Sequence, residues 1–247
     1  MFAQNRSIAI AIAIVMAGTL SSSLTAGVVA LTASHDNTLY EDLAGALSNG
    51  AGEFMFVGDT SGSVTRRALF SFDLASIPTG AIIDNVTLTL HMSMTAGGAT
   101  NVSIHRALAA WGEGTSNAPG GEGGGAPATT GDATWLHTFF STAQWSNPGG
   151  DFAATVSATT SVAGVNFYDW SSAQMIADVQ QWLDSPSGNF GWLAMGDEST
   201  PGTSKRFDSR ESLTASFRPT LTVEYTIPAP ATLAMMALAG SVPRPRR

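Results

Sequence analysis

The chain contains no cysteine among its 247 residues. Disulfide bonds are therefore excluded, as are zinc and iron-sulfur centres built on thiolates. Charge is also scarce, at 12% Asp, Glu, Lys and Arg, and Lys205 is the only lysine. Histidine is limited to His35, His91, His105 and His137, whose spacing matches no zinc-binding pattern. There is no Gly-x-Ser-x-Gly elbow, and the glycine-rich stretch does not join a strand to a helix as a phosphate-binding loop does. The sequence thus lacks the common marks of a serine hydrolase, a nucleotide-binding enzyme or a zinc enzyme.

What charge there is has mostly one sign. All 19 acidic residues lie between positions 34 and 226, but only seven of the 11 basic ones do, because Arg6, Arg244, Arg246 and Arg247 occupy the ends; the stretch carries a formal net charge of −12. Phosphate backbones require a basic face, so nucleic acid is not an expected partner. The stretch is long enough to bury a full core as one domain.

Its periodicity is that of strands. Val86, Leu88, Leu90 and Met92 share one face, with Thr87, Thr89 and His91 on the other, and Ala68, Phe70 and Phe72 repeat the pattern. Ile77-Pro78-Thr79-Gly80 reads as the turn between these two strands. Further strands are expected at Val102 and Ile104, from Thr155 to Val162, and at Leu221, Val223 and Tyr225. Residues 112–131, with Gly120-Gly121 and Gly123-Gly124-Gly125, read as a long flexible loop. Ser171 to Leu183 reads as a helix, capped by Ser171 or Ser172, with Ile176, Val179 and Leu183 on one face and Pro186 and Gly188 ending it. The expected fold is an all-β, jelly-roll β-sandwich with one short crossover helix.

The two ends read as addresses rather than as fold. Arg6 followed by the apolar stretch Ile8 to Gly18 and the small residues Ser21, Ser22, Ser23, Thr25 and Ala26 resembles a signal peptide spanning residues 1–33, with cleavage near Ala26, Ala30 or Ala33. Apolar character returns at Val28 to Leu31, which leaves an uncleaved anchor as the alternative. At the other end, Ile227-Pro228-Ala229-Pro230-Ala231-Thr232-Leu233, the apolar run Ala234 to Gly240 and the closing Arg244, Arg246 and Arg247 resemble a PEP-CTERM sorting tail over residues 227–247. Ala229 stands where that family has Glu, and the apolar run is far short of the ~20 residues of a membrane-spanning helix. Together the ends imply an exported protein at the cell surface or outside the cell, transiently membrane-anchored and handled by envelope sorting machinery.

Within residues 34–226 an order of short motifs is recognisable. Asp36-Asn37-Thr38-Leu39-Tyr40-Glu41, Arg67-Ala68-Leu69-Phe70-Ser71-Phe72-Asp73-Leu74 and Val86-Thr87-Leu88-Thr89-Leu90 are followed by Asp178-Val179-Gln180-Gln181-Trp182, Asn189-Phe190-Gly191-Trp192, Phe207-Asp208-Ser209-Arg210-Glu211 and Arg218-Pro219-Thr220-Leu221-Thr222-Val223. This order resembles the DNRLRE domain. The resemblance implies an exported, noncatalytic jelly roll related to carbohydrate-binding module family 96, whose members bind acidic polysaccharide. The glycine-rich loop and the insert Asp132 to Phe152 depart from that pattern.

Three clusters are candidate sites. Lys205, Arg206 and Arg210 lie in Lys205-Arg206-Phe207-Asp208-Ser209-Arg210-Glu211; on a strand, Arg206, Asp208 and Arg210 would share a face and offer two guanidinium forks to uronic acid carboxylates. The competing reading is a structural ion-pair network. Trp135 and Trp145, with Phe139 and Phe140, would stack against sugar rings, or else cover a satellite core under the insert. Asp36, Asn37, Glu41 and Asp42 are oxygen donors suited to calcium, or a solvated acidic surface. The expected function is noncatalytic polysaccharide binding; a structural surface or extracellular-matrix protein is the alternative, and a polysaccharide-degrading enzyme a minor one. Oligomeric state is left open.

Overall fold

Period-two alternation dominates the computed structural model, which describes residues 25–228. The strands run in chain order as β1 (Thr25–Thr32), β2 (His35–Tyr40), β3 (Leu47–Ser48), β4 (Phe54–Asp59), β5 (Thr65–Ser71), β6 (Ile82–Thr95) and β7 (Thr100–Ala107). A long connection holds only the short β8 (Ala126–Pro127), β9 (His137–Phe139) and β10 (Ala143–Gln144). Then follow β11 (Phe152–Val162), β12 (Asn166–Trp170), helix α1 (Ala173–Asp184), β13 (Trp192–Met195), β14 (Lys205–Asp208) and β15 (Thr220–Ile227). Eleven strands make one antiparallel sheet in the order β1-β15-β6-β14-β4-β5-β13-β7-β11, with β12 added to β6 and β2 added to β5.

The sheet curls into an all-β sandwich because β4 serves both layers. Phe54 to Val57 pair with β14, whereas Gly58 and Asp59 pair with β5. Gly58 turns this corner at φ 90°, in the left-handed region where a side chain would be strained. Between the layers, Phe70, Phe72, Leu88, Leu90, Met92, Ile104, Trp170, Trp192 and Phe207 form the main core. The turn at Pro78 and Gly80 is as expected, with Ala81 N–H donating to Pro78 O at 3.1 Å.

Helix α1 closes this core with Met175, Val179 and Trp182. Ser172 caps it, its Oγ accepting from Met175 N at 3.0 Å, and Pro186 follows its end. A buried polar residue fastens the helix as well. Asp178, 3% exposed, accepts from Ser157 Oγ at 2.5 Å, Trp192 Nε1 at 3.0 Å and Gln174 Nε2 at 3.1 Å. No helix among the described residues is long and apolar enough to cross a membrane.

Two expectations need correction. The folded unit begins at Thr25, not at residue 34: β1 pairs with β15 from Thr25↔Ile227 to Thr32↔Thr220, so cleavage at Ala30 or Ala33 would remove most of a strand. The signal-type residues before Thr25 and the sorting-type tail after Pro228 lie outside the described residues. The stretch 112–131 is not a free loop, because it carries the buried Ser116, Ala118, Glu122 and Ala126. With the following insert it covers the outer face of β5 and β13, building a second core from Leu39, Leu69, Ala133, Trp145 and Leu193. Alternation along β5 makes this possible, since Ala68 and Phe70 face the main core while Leu69 faces the second.

Replacing Asp178 with Ala leaves the Trp192 N–H and the Ser157 hydroxyl buried without their acceptor. The expected loss is about 4 kcal/mol, or roughly 10 °C in Tm, by scanning calorimetry. Asp184→Ala, at the exposed end of the same helix, is expected to change stability by less than about 1 kcal/mol.

Candidate functional site

The cationic cluster expected from the sequence is taken apart by the fold. Strand β14 ends at Asp208, so Arg210 lies in the following turn and does not share a strand face with Arg206. Lys205 is fully buried; its Nζ donates to Thr95 Oγ1 at 2.6 Å, Gly97 O at 3.1 Å and Gly98 O at 2.6 Å, which pins the end of β6. Burial holds its amine below the ordinary lysine range. Arg206 places its guanidinium 3.7 Å from the centre of the Phe54 ring and donates from Nε to Ser93 Oγ at 3.1 Å. None of the three is a free anion fork.

The aromatic pair is divided as well. Trp145 is 6% exposed and donates from Nε1 to Thr134 O at 2.9 Å, so it is a core residue of the insert and not a surface platform. Trp135 is half-buried, and Arg67 lies 5.0 Å over its ring while forming a bidentate pair with Glu198 at 2.7 and 2.8 Å.

The four expected calcium donors do not converge. Asn37 is fully buried and occupied: its Nδ2 donates to Glu113 O and Ala133 O, and its Oδ1 accepts from Thr38 N, Ser48 Oγ and Asn49 N. Glu41 accepts from Thr65 N, at the start of β5, at 2.7 Å, and Asp42 from Ala46 N at 3.0 Å in the turn beyond the end of β2. Asp36 instead meets Glu113 and Glu211, with one oxygen of each within 4.8 Å of the others. Arg210 Nε lies between the two glutamates, 2.7 Å from Glu113 Oε1 and 2.8 Å from Glu211 Oε1, while its backbone N–H donates to Asp36 Oδ2 at 2.6 Å. Burial, then the charge of Glu211, raises the Asp36 carboxyl well above the ordinary range. Burial likewise raises Glu211 to about 7, against the pull of Arg210 and with a push from Glu113. Glu211 stood in the Lys205 to Glu211 cluster, where the ion-pair reading proves right for Arg210, but Glu113 escaped the sequence reading; the signal available was a lone carboxylate between Gly112 and Gly114.

A second feature lies where β2 begins and β5 ends. A cavity of about 390 Å³ is lined by His35, Ser71, Asp73, Trp182, Pro186 and Asn189 among others. A hollow of about 190 Å³ shares His35, Ser71 and Asn189 with it and adds Trp111 and Phe190. Trp111 and Phe190 are half-buried, and Trp111 Nε1 donates to Phe190 O at 2.8 Å. Two lining residues retain unspent hydrogen-bonding atoms. Trp145, Trp170 and Trp192 each donate their indole N–H, but Trp182 Nε1 has no partner. Asn189 donates from Nδ2 to Phe72 O at 2.9 Å, leaving its buried Oδ1 unpaired. Strand β2 thus sends His35 to the groove, Asp36 to the acidic cluster and Asn37 to the loop.

No protein-family model matches the sequence, and no curated protein matches it.

The raised carboxyls of Asp36 and Glu211 bind protons more readily in the folded than in the unfolded chain. Their contribution to stability is therefore complete below the unfolded carboxyl range near pH 4 and lost as pH rises through the folded values, about 7 for Glu211. In buffer containing a chelator, Tm is expected to fall as pH rises from about 5 to about 8, and Glu211→Gln to flatten that slope.

Proposed function

We propose that the protein is an exported, noncatalytic polysaccharide-binding domain whose ligand lies in the groove formed by His35, Asp73, Trp111, Trp182, Asn189 and Phe190. The observation that carries this reading is a groove of two adjoining parts in which His35, Ser71, Asp73 and Asn189 offer polar side chains beside the indole of Trp182. Ligand sites of this kind combine an apolar wall with a few placed polar groups. Trp111 and Phe190 add half-buried aromatic surface at the adjoining hollow, suited to the C–H faces of a sugar ring.

The charge pattern favours a neutral glycan over an acidic one. Arg206 and Arg210 are committed within the protein, and the carboxylate in the groove, Asp73, is exposed. A uronic acid would meet that carboxylate on a domain that is already acidic. The reading accords with the resemblance to the DNRLRE domain in its noncatalytic character, but departs from the acidic ligand which that resemblance implies. The carboxylate trio supports no glycosidase reading, because none of Asp36, Glu113 and Glu211 lines either part of the groove. An exported surface location with handling by envelope sorting machinery belongs to the same proposal and rests on the two terminal segments.

A structural surface protein is the second reading, favoured by the internal commitment of Lys205, Arg206 and Arg210. Glycan-array screening followed by calorimetric titration separates the two. Trp111→Ala and Asn189→Ala are each expected to weaken binding by about tenfold or more. Trp111→Ala should leave Tm within a few degrees of the parent. Silence across neutral and acidic glycans on a folded sample would overturn the binding proposal in favour of the structural one.

A further inference from the structure

The acidic cluster has a property that Arg210 does not explain. The guanidinium is bonded to Glu113 Oε1 and Glu211 Oε1, and the Arg210 backbone N–H is bonded to Asp36 Oδ2. Glu113 accepts its other side-chain hydrogen bond, from Asp36 N at 2.8 Å, through the same Oε1. Asp36 is fully buried, yet its Oδ1 has no partner, and Glu211 Oε2 is equally shielded and unpaired. With all three carboxyls ionised against one guanidinium, the cluster carries two negative charges in excess. An unpaired buried carboxylate oxygen is among the costliest groups a fold can keep.

We propose that Asp36, Glu113 and Glu211 bind a calcium ion on the side of the cluster away from Arg210. The donor set is all oxygen, without His or Cys, which suits a hard cation and not zinc. Oxygens within 4.8 Å of one another are close enough to draw in around one calcium ion, whose bonds to oxygen are about 2.4 Å long. Calcium accepts an irregular shell completed by water, whereas magnesium requires near-ideal octahedral geometry.

The consequence is mechanical. The ligands come from strand β2, from the glycine-rich connection and from the turn after β14, so one ion ties three segments distant in sequence. In a chain without cysteine, calcium supplies the cross-link that a disulfide would supply elsewhere. The site is independent of the glycan reading: a folded protein that binds calcium but no sugar sustains this proposal and defeats the other.

The test is calorimetric titration of the chelator-stripped full chain with calcium chloride at neutral pH, paired with Tm with and without the ion. One saturable site is expected, with affinity in or below the ~10⁻⁴–10⁻³ M range of extracellular calcium modules, and Tm should rise by several degrees. Asp36→Asn and Glu211→Gln, which keep shape and remove charge, should each weaken binding at least about tenfold while circular dichroism is unchanged. If Asp36→Asn fails to fold, the half-buried Glu211→Gln carries the comparison. Absence of binding and of any Tm change on a folded parent sample, or binding equally tight in Glu211→Gln, overturns the proposal.

Discussion

Buried side chains that capture loop backbone are what the rest of this structure depends on. Residues 112–131 of the connection between β7 and β11 are rich in glycine and poor in large apolar residues, so this part cannot hold itself against the sheet by hydrophobic contact alone. It is held instead by side-chain acceptors, each satisfying several donors. Glu122 accepts from Glu53 N at 3.0 Å, Phe54 N at 2.9 Å and Asn49 Nδ2 at 2.8 Å. Asp132 accepts from Thr129 N at 2.6 Å, and Asn37 holds Glu113 O from the strand below. Glycine at 50 and 114 serves this close docking: an added Cβ would sit 1.6 Å from Glu113 O at the first and 1.3 Å from Asp132 Oδ1 at the second.

With the connection in place, the outer face of β5 and β13 becomes a second interior, and the insert tryptophan Trp145 is consumed in it. The same economy governs charge. In a chain with seven basic residues between positions 34 and 226, Lys205, Arg206, Arg67 and Arg210 all have internal partners. Little cationic surface is left for an external anion. The features that remain open are the groove around His35 and Asn189, whose polar atoms are not all spent, and the carboxylate trio around Asp36.

The strands were legible because burial on one face leaves a period of two, as along Val86, Leu88, Leu90 and Met92, all buried here. The helix was legible from Ser172 and Pro186, which act locally. Strand β1 was hidden because Val28 to Leu31 continue the apolar character of the segment before them, and hydropathy does not distinguish an edge strand from an export signal. The candidate site was less legible. Asp36 was grouped with its chain neighbours Asn37, Glu41 and Asp42, whereas its partners at 113 and 211 are far away in the chain; for Arg210 the sequence left an outward fork and an internal ion pair both open, and the fold forms the ion pair.

By itself, the sequence determined the absence of disulfides and thiolate metal sites, the acidic charge, the all-β class and the limits of the helix. These follow from composition and from contacts within a few residues. Tertiary structure alone decided which carboxylates meet, which tryptophans keep an open face and which cations are free. Those outcomes depend on segments such as 36, 113 and 211, brought together by strand pairing and loop docking, and no local pattern records which distant oxygen a buried side chain will face.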